Sequence, residues 1–267
     1  MCSGIDSAVN AAALCDHIKE AAKAGADILF TPEMTGMVDR DRKRAAKNIQ
    51  FEKDDPVLAA ARGTAAENKI WVAIGSLALK TVGGKWVNRS ILVDPRGEVA
   101  ARYDKIHLFD VDIAGGDTWR ESAVYSAGIE PVVVPAIGAC LGLSICYDLR
   151  FPMLYQVLTN VGANILSIPA AFTVPTGKAH WETLLRARAI ESAAFVVAAA
   201  QCGQHEDGRQ TYGHSMVVDP WGEILLDMGD SLGLGICDID FNLVSQVRSR
   251  IPVIEHRRQI PEIGRVK

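Results

Sequence analysis

Apolar positions recur along this chain with two periods. From Ser7 to about Lys23 they follow a helical stripe that includes Val9, Leu14 and Ile18, with Ser7 able to cap its start and Gly25 to stop its end. Asp55 followed by Pro56 predicts a second helix, because proline suits a first helical turn. His180 to Ala194 carries a strong helical pattern, and further helices are predicted after Pro152 and from about Phe241. Between them lie short β-branched runs that predict strands: Ala26–Thr31, Ile70–Leu79, Val87–Val93, Val99 to about Lys105, Pro131–Val134, Leu141–Cys146, Asn164–Ile168, Phe195–Gln201, Ser215–Val218, Glu223–Leu226 and Gly233–Asp238. Gly83-Gly84, Asp94-Pro95-Arg96-Gly97 and Asp219-Pro220-Trp221-Gly222 read as tight turns between strands. Asp39–Lys47 is a charge run, hence a solvated helix or loop, and residues 107–130 read as a long Gly-, Asp- and Ser-rich loop of the kind that often carries function.

Helices and strands alternate, but hairpins interrupt them. The pattern fits an α/β fold with mixed sheets covered by helices. No linker, repeat or low-complexity stretch divides residues 1–267, so one domain is expected. A hydrophobic content of 49% and a charged content of 22% are enough to bury a sizeable core. The net charge of −4 and the lack of a basic stripe argue against a nucleic-acid partner. No apolar run is long enough to span a bilayer, so no membrane partner is expected; the run from Val132 to Cys146 is broken by Pro135, Gly138, Gly142 and Ser144. The six cysteines form no C-x-x-C pair and no zinc-spaced cluster, which fits a reducing, cytoplasmic setting without a bound metal. The first residues show no signal-peptide pattern, and the sequon Asn88-Arg89-Ser90 reads as a chance match.

Three strand ends carry reactive side chains: Glu33 after Leu29-Phe30-Thr31-Pro32, Lys105 within Tyr103-Asp104-Lys105-Ile106-His107, and Cys146 before a polar turn and Pro152. Functional groups gather where the strands of α/β sheets end. Each also has a plain alternative. A lone cysteine after a strand is usually structural, a glutamate after proline can face solvent, and a lysine at a strand edge is usually a solvated charge.

The three motifs, in this order, resemble those of the nitrilase superfamily of carbon–nitrogen hydrolases. They read Phe30-Thr31-Pro32-Glu33, Tyr103-Asp104-Lys105-Ile106-His107-Leu108-Phe109-Asp110 and Ile145-Cys146-Tyr147-Asp148-Leu149-Arg150-Phe151-Pro152. Similarity continues through Ala179-His180-Trp181-Glu182, Leu185–Glu191 and Tyr212–Gly222, and so covers nearly the whole chain. The resemblance implies a four-layer α-β-β-α sandwich that assembles as a homodimer or larger homo-oligomer. It implies a small amide as substrate, with Cys146 as nucleophile and Glu33 as the base that takes its proton. A carboxylate confined among apolar residues would favour its protonated form, which suits a proton shuttle. Lys105 and the backbone N–H of Tyr147 would stabilise the oxyanion. A second family glutamate falls on Glu121, with Glu130 a weaker competitor. No metal or organic cofactor is required. Arg150, four residues past the nucleophile, could clamp a substrate carboxylate or anchor the turn through a salt bridge, and His180 and Trp181 could line the pocket or pack in the core.

Within the superfamily, Val196–His205 and Tyr212–Met216 resemble the deaminated glutathione amidase branch more than the ω-amidases. The implied reaction cleaves deaminated glutathione to 2-oxoglutarate and cysteinylglycine. The alternatives are ω-amidase activity on 2-oxoglutaramate and, from another class, a non-catalytic binding protein on the same fold. Family members open with a short apolar strand ahead of the segment matching Cys2-Ser3-Gly4, so Met1 is expected to be an internal methionine of a longer natural chain.

Overall fold

The computed structural model describes residues 1–112 and 118–261. In chain order the elements are α1 (Ser7–Lys23), β1 (Ile28–Phe30), α2 (Arg42–Asn48), α3 (Pro56–Asn68), β2 (Trp71–Lys80), β3 (Trp86–Val93), β4 (Val99–Asp104), β5 (Asp110–Asp112), β6 (Thr118–Arg120), β7 (Val132–Ala136) and β8 (Ala139–Leu143). They continue with α4 (Pro152–Asn160), β9 (Ile165–Ser167), α5 (Val174–Ser192), β10 (Phe195–Ala198), β11 (Cys202–Gln204), β12 (Gln210–Tyr212), β13 (Met216–Val218), β14 (Ile224–Asp227) and α6 (Asn242–Arg250).

Two sheets form the centre, one ordered β1-β2-β3-β4 and the other β14-β13-β10-β9-β8-β7. Strand alternation sorts the side chains between layers. Val72, Ile74, Ile91 and Val93 bury against Leu14 and Ile18 of α1 and Leu58, Ala61 and Ala65 of α3. The intervening Ala73 and Leu92 point the other way, into a core shared with Leu141, Ile165 and Val196 of the second sheet. Leu154 and Leu158 of α4 and Trp181 and Leu185 of α5 cover that sheet. The layers therefore run α-β-β-α.

Several local expectations are corrected. Asp6, rather than Ser7, caps α1 by accepting from Ala8 N–H at 2.8 Å. Val9, counted in its apolar stripe, is 64% exposed. α5 starts at Val174, six residues ahead of His180, because Pro175 sits in its first turn, where no backbone donor is needed. The loop at 107–130 contains the β5–β6 ribbon, and its residues 113–117 lie outside the described residues. The short β11–β12 ribbon was not visible in the apolar pattern, since Gly203 and Gln204 are exposed. β8 stops at Leu143, and Cys146 instead opens a 3₁₀ turn, Cys146–Arg150. Gly233–Asp238 forms no ladder; it lines a second cavity of about 330 Å³ together with β1. No helix among the described residues is long and apolar enough to cross a membrane.

Candidate active site

Local structure brings each candidate side chain to one place. Glu33 follows β1 in a loop that crosses the middle of β2, where its pairing with β3 is irregular, so closely that a Cβ on Gly75 would lie 2.1 Å from the Thr31 carbonyl oxygen. Gly75 N–H donates to Thr31 Oγ1 at 3.0 Å, and the fully buried Gln201 donates through Nε2 to the Glu33 carbonyl at 3.1 Å. Lys105 lies one residue past β4, where its N–H still donates to Asn88 O at 2.9 Å. Gly128 packs against this corner, and a Cβ there would meet Asp104 O at 2.1 Å. Cys146 takes a left-handed backbone, φ +50°, with its N–H donating to Pro169 O at 2.8 Å. For a non-glycine residue that conformation is strained, and it is held by the surrounding network.

Asp148 supplies much of that network. It is fully buried and accepts from Tyr103 Oη at 2.7 Å, Ile145 N at 2.9 Å and His107 N at 3.0 Å. His107 Nδ1 adds a 2.7 Å contact. One carboxylate thus ties the lysine corner to the nucleophile turn. Arg188, from α5, holds the other end of the turn by donating from Nε to Leu149 O at 2.9 Å.

Lys105 Nζ donates to Glu33 Oε1 at 2.9 Å and lies 3.0 Å from Glu121 Oε2. Glu33 (5% exposed), Lys105 (2%) and Cys146 (7%) are buried at the floor of a cavity of about 300 Å³ that Glu121 also lines. Glu33 does not sit among apolar groups. Its carboxylate also receives Asn88 Nδ2 at 2.9 Å and Ala171 N–H at 3.0 Å. Glu121 receives Phe109 N–H at 2.6 Å. Burial works against the Lys105 ammonium, but Glu121 and Glu33 outweigh it and hold the group well above its ordinary pKa. Burial pushes the Cys146 thiol well above its ordinary value, the Glu33 carboxylate adds to this, and Lys105 offsets part of it. The resting pair is therefore a neutral thiol beside a fixed ammonium. The Tyr147 N–H, near the start of the 3₁₀ turn, has no partner among the described residues and stays available as a donor.

Other sequence candidates divide. Tyr147 and Arg150 line the cavity. Arg150 makes no ion pair among the described residues, so the salt-bridge alternative is absent; its guanidinium lies 5.4 Å over the Phe172 ring and within 3.4 Å of His180 Nδ1. His180 and Trp181 do not line the cavity. His180 is exposed on α5, and Trp181 is 1% exposed, donating to His214 O at 2.8 Å and packing on Phe172. Glu130 is exposed and away from the cavity wall. Asn88, which in the sequence reads only as part of a sequon, is 2% exposed and donates through Nδ2 to both Glu33 and, at 3.2 Å, Glu121. Nothing local in the sequence marks that role, because it depends on the pairing of β3 with β2 and β4.

Comparisons with known proteins bear on the family and the fold. The sequence profile of the carbon-nitrogen hydrolases matches residues 4–249. A deaminated glutathione amidase of Synechocystis is 49% identical over 176 residues, a match covering 65% of this chain and 65% of that protein, just under two thirds of its length. The deaminated glutathione amidase of Bos taurus is 40% identical, over 95% of this chain and 78% of its own. Among solved structures, the C. elegans NitFhit protein superposes with a TM-score of 0.86 at 38% identity, covering 97% of this chain and 63% of that one. An amidase from Nesterenkonia sp. AN1, carrying acrylamide added at its active-site cysteine, superposes with a TM-score of 0.78 at 27% identity, covering 94% of this chain and 95% of that one. The chain belongs to the carbon-nitrogen hydrolase family.

Proposed function

We propose that this chain is a cysteine-dependent amidase that hydrolyses a linear amide of a 2-oxo dicarboxylic acid, with deaminated glutathione as substrate and 2-oxoglutarate and cysteinylglycine as products. One observation carries the reading: a thiol, a carboxylate and an ammonium from three distant segments are buried together on one cavity wall. Glu33 takes the Cys146 proton as Sγ attacks the amide carbon, and Lys105 Nζ with Tyr147 N–H holds the oxyanion. Glu33 passes the proton to the departing amine, leaving a thioester. It then takes a proton from the water that attacks the thioester, the acid departs, and the proton returns to sulfur. Glu121 and Asn88 fix Lys105 and Glu33 through both steps.

Charge supports the substrate class. Arg40, Arg42, Lys105, Arg120, Arg150 and Arg209 line the cavity against only Glu33, Asp39 and Glu121, in a chain whose net charge is −4. An anionic substrate suits that reversal. Arg150, on the nucleophile's own turn, suits the carboxylate of the acyl group. The same reading places the protein in the cytoplasm, in keeping with six free thiols. It also takes the protein as a homodimer or larger homo-oligomer. Met153 (74% exposed), Val157 (44%) and Val161 (67%) present an apolar stripe at four-residue spacing for that contact.

The test is a panel of 2-oxo acid amides, simple amides and nitriles, run on wild type and Cys146→Ala. Deaminated glutathione should have the highest kcat/KM, and the substitution should lower it by about 10⁴-fold or more. A folded Cys146→Ala variant with near-wild-type turnover would exclude the mechanism. A clear preference for 2-oxoglutaramate would make the protein an ω-amidase.

A further inference from the structure

Arg150 accounts for one end of a substrate, and a second guanidinium faces the same cavity from another direction. Arg209 lies in the connection between β11 and β12, far in sequence from the motifs. Its Nε donates to Asp207 Oδ2 at 2.8 Å, and the Asp207 side chain is itself fully buried. Its guanidinium stacks 5.1 Å over the Trp119 ring. A buried carboxylate behind it and an indole beneath it fix the plane of the group. Neither Nη meets a hydrogen-bond partner among the described residues. An oriented guanidinium with both terminal nitrogens open is the geometry that receives a carboxylate through two parallel bonds.

Chain geometry sets which part of the substrate reaches it. Aromatic rings run from Trp119 to Phe109, 6.3 Å apart, and from Phe109 to Tyr147, 5.1 Å apart. Tyr147 belongs to the turn that carries both Cys146 and Arg150. Arg209 therefore reaches the cavity from the β11–β12 connection, over Trp119, whereas Arg150 reaches it from the nucleophile's own turn. During the reaction the acyl group remains bonded to Cys146 Sγ and stays with the turn that bears Arg150. The amine is the part that leaves that turn.

Resting on the amidase reading above, we infer that Arg209 is a specificity residue that binds a carboxylate on the leaving amine, so the site selects amides charged on both sides of the scissile bond. Three amides sharing the 2-oxoglutaryl group test this. One releases cysteinylglycine, one releases the cysteinylglycine carboxamide, and one releases ammonia. Arg209→Gln should lower kcat/KM on the first by about 10- to 100-fold and leave the other two within about twofold. Arg209→Lys, which keeps the charge but loses the planar fork, should fall between. Wild type should already disfavour the carboxamide by the same factor, a comparison that needs no variant to fold.

Equal losses on all three amides, or wild type cleaving the carboxamide as well as the acid, would overturn the assignment while leaving the amidase intact. Failure of folded wild type to cleave any of the three would remove the amidase reading and the assignment together.

Discussion

Glu33 holds three donors at once: Lys105 Nζ, Asn88 Nδ2 and Ala171 N–H. This saturation explains how a carboxylate stays buried beside a thiol without a cluster of cations. It also raises the thiol, since burial and the Glu33 charge both disfavour a thiolate. Glu33→Gln should therefore do two opposite things. Turnover should be lost, because the proton shuttle is gone. The iodoacetamide alkylation profile of Cys146 should move to lower pH, because removing a neighbouring negative charge favours the thiolate while the Lys105 charge remains. A profile moving upward would contradict this electrostatic account. Asn88→Ala should lower kcat by about 10- to 100-fold, since it frees both glutamates it now orients. Steady-state kinetics with a thermal melt would separate this from unfolding. At this scale the sequence displayed the reactive types and hid their supports. Glu33, Lys105, Glu121 and Cys146 stand in motifs, whereas Asn88 and Arg209 act through neighbours that only the folded chain supplies.

The elements that matter most are short: the corner after β4 and the 3₁₀ turn at Cys146–Arg150, joined through Asp148. Asp148→Asn keeps the size but converts one acceptor oxygen into a donor facing groups that already donate. Each donor left unpaired in such a buried network costs about 1–3 kcal/mol. A lowered Tm and a reduced kcat with little change in KM should follow, because the lysine corner shifts relative to the nucleophile. An unchanged kcat in a folded variant would count against the clamp. Long segments such as α1, α3, β2 and β3 could be read from their pattern, because the two helices bury residues at helical spacing and the two strands are apolar runs buried nearly throughout between layers. β8 ran three residues shorter than its apolar run, since Ser144–Cys146 are equally buried but bend into the turn. Gly233–Asp238 reads as a strand by composition yet pairs with no strand, and a ladder needs two sides.

At the scale of the molecule, two packed sheets bring together residues separated by more than a hundred positions, from Glu33 to Ala171. The layered class was legible in the sequence because alternating helices and mixed hairpins admit few arrangements, and because three ordered motifs point to one family. The charge pattern of the cavity was not, since its arginines are scattered from Arg40 to Arg209 within a net acidic chain. Attraction between that cavity and a dianionic amide should weaken with salt. KM for deaminated glutathione should rise between low and high ionic strength, while KM for a neutral amide stays nearly constant. Parallel salt responses for the two substrates would argue against electrostatic selection. Light scattering should give a solution mass of at least twice the 28.8 kDa chain, through the stripe on α4.

The convergence of Glu33, Lys105 and Cys146 on one acyl carbon is tested most directly by quenching turnover of deaminated glutathione in acid and mapping the covalent adduct by mass spectrometry. The expected result is a 2-oxoglutaryl thioester on the peptide containing Cys146, absent from Cys146→Ala. An adduct on another residue, or full hydrolysis by Cys146→Ala, would contradict it.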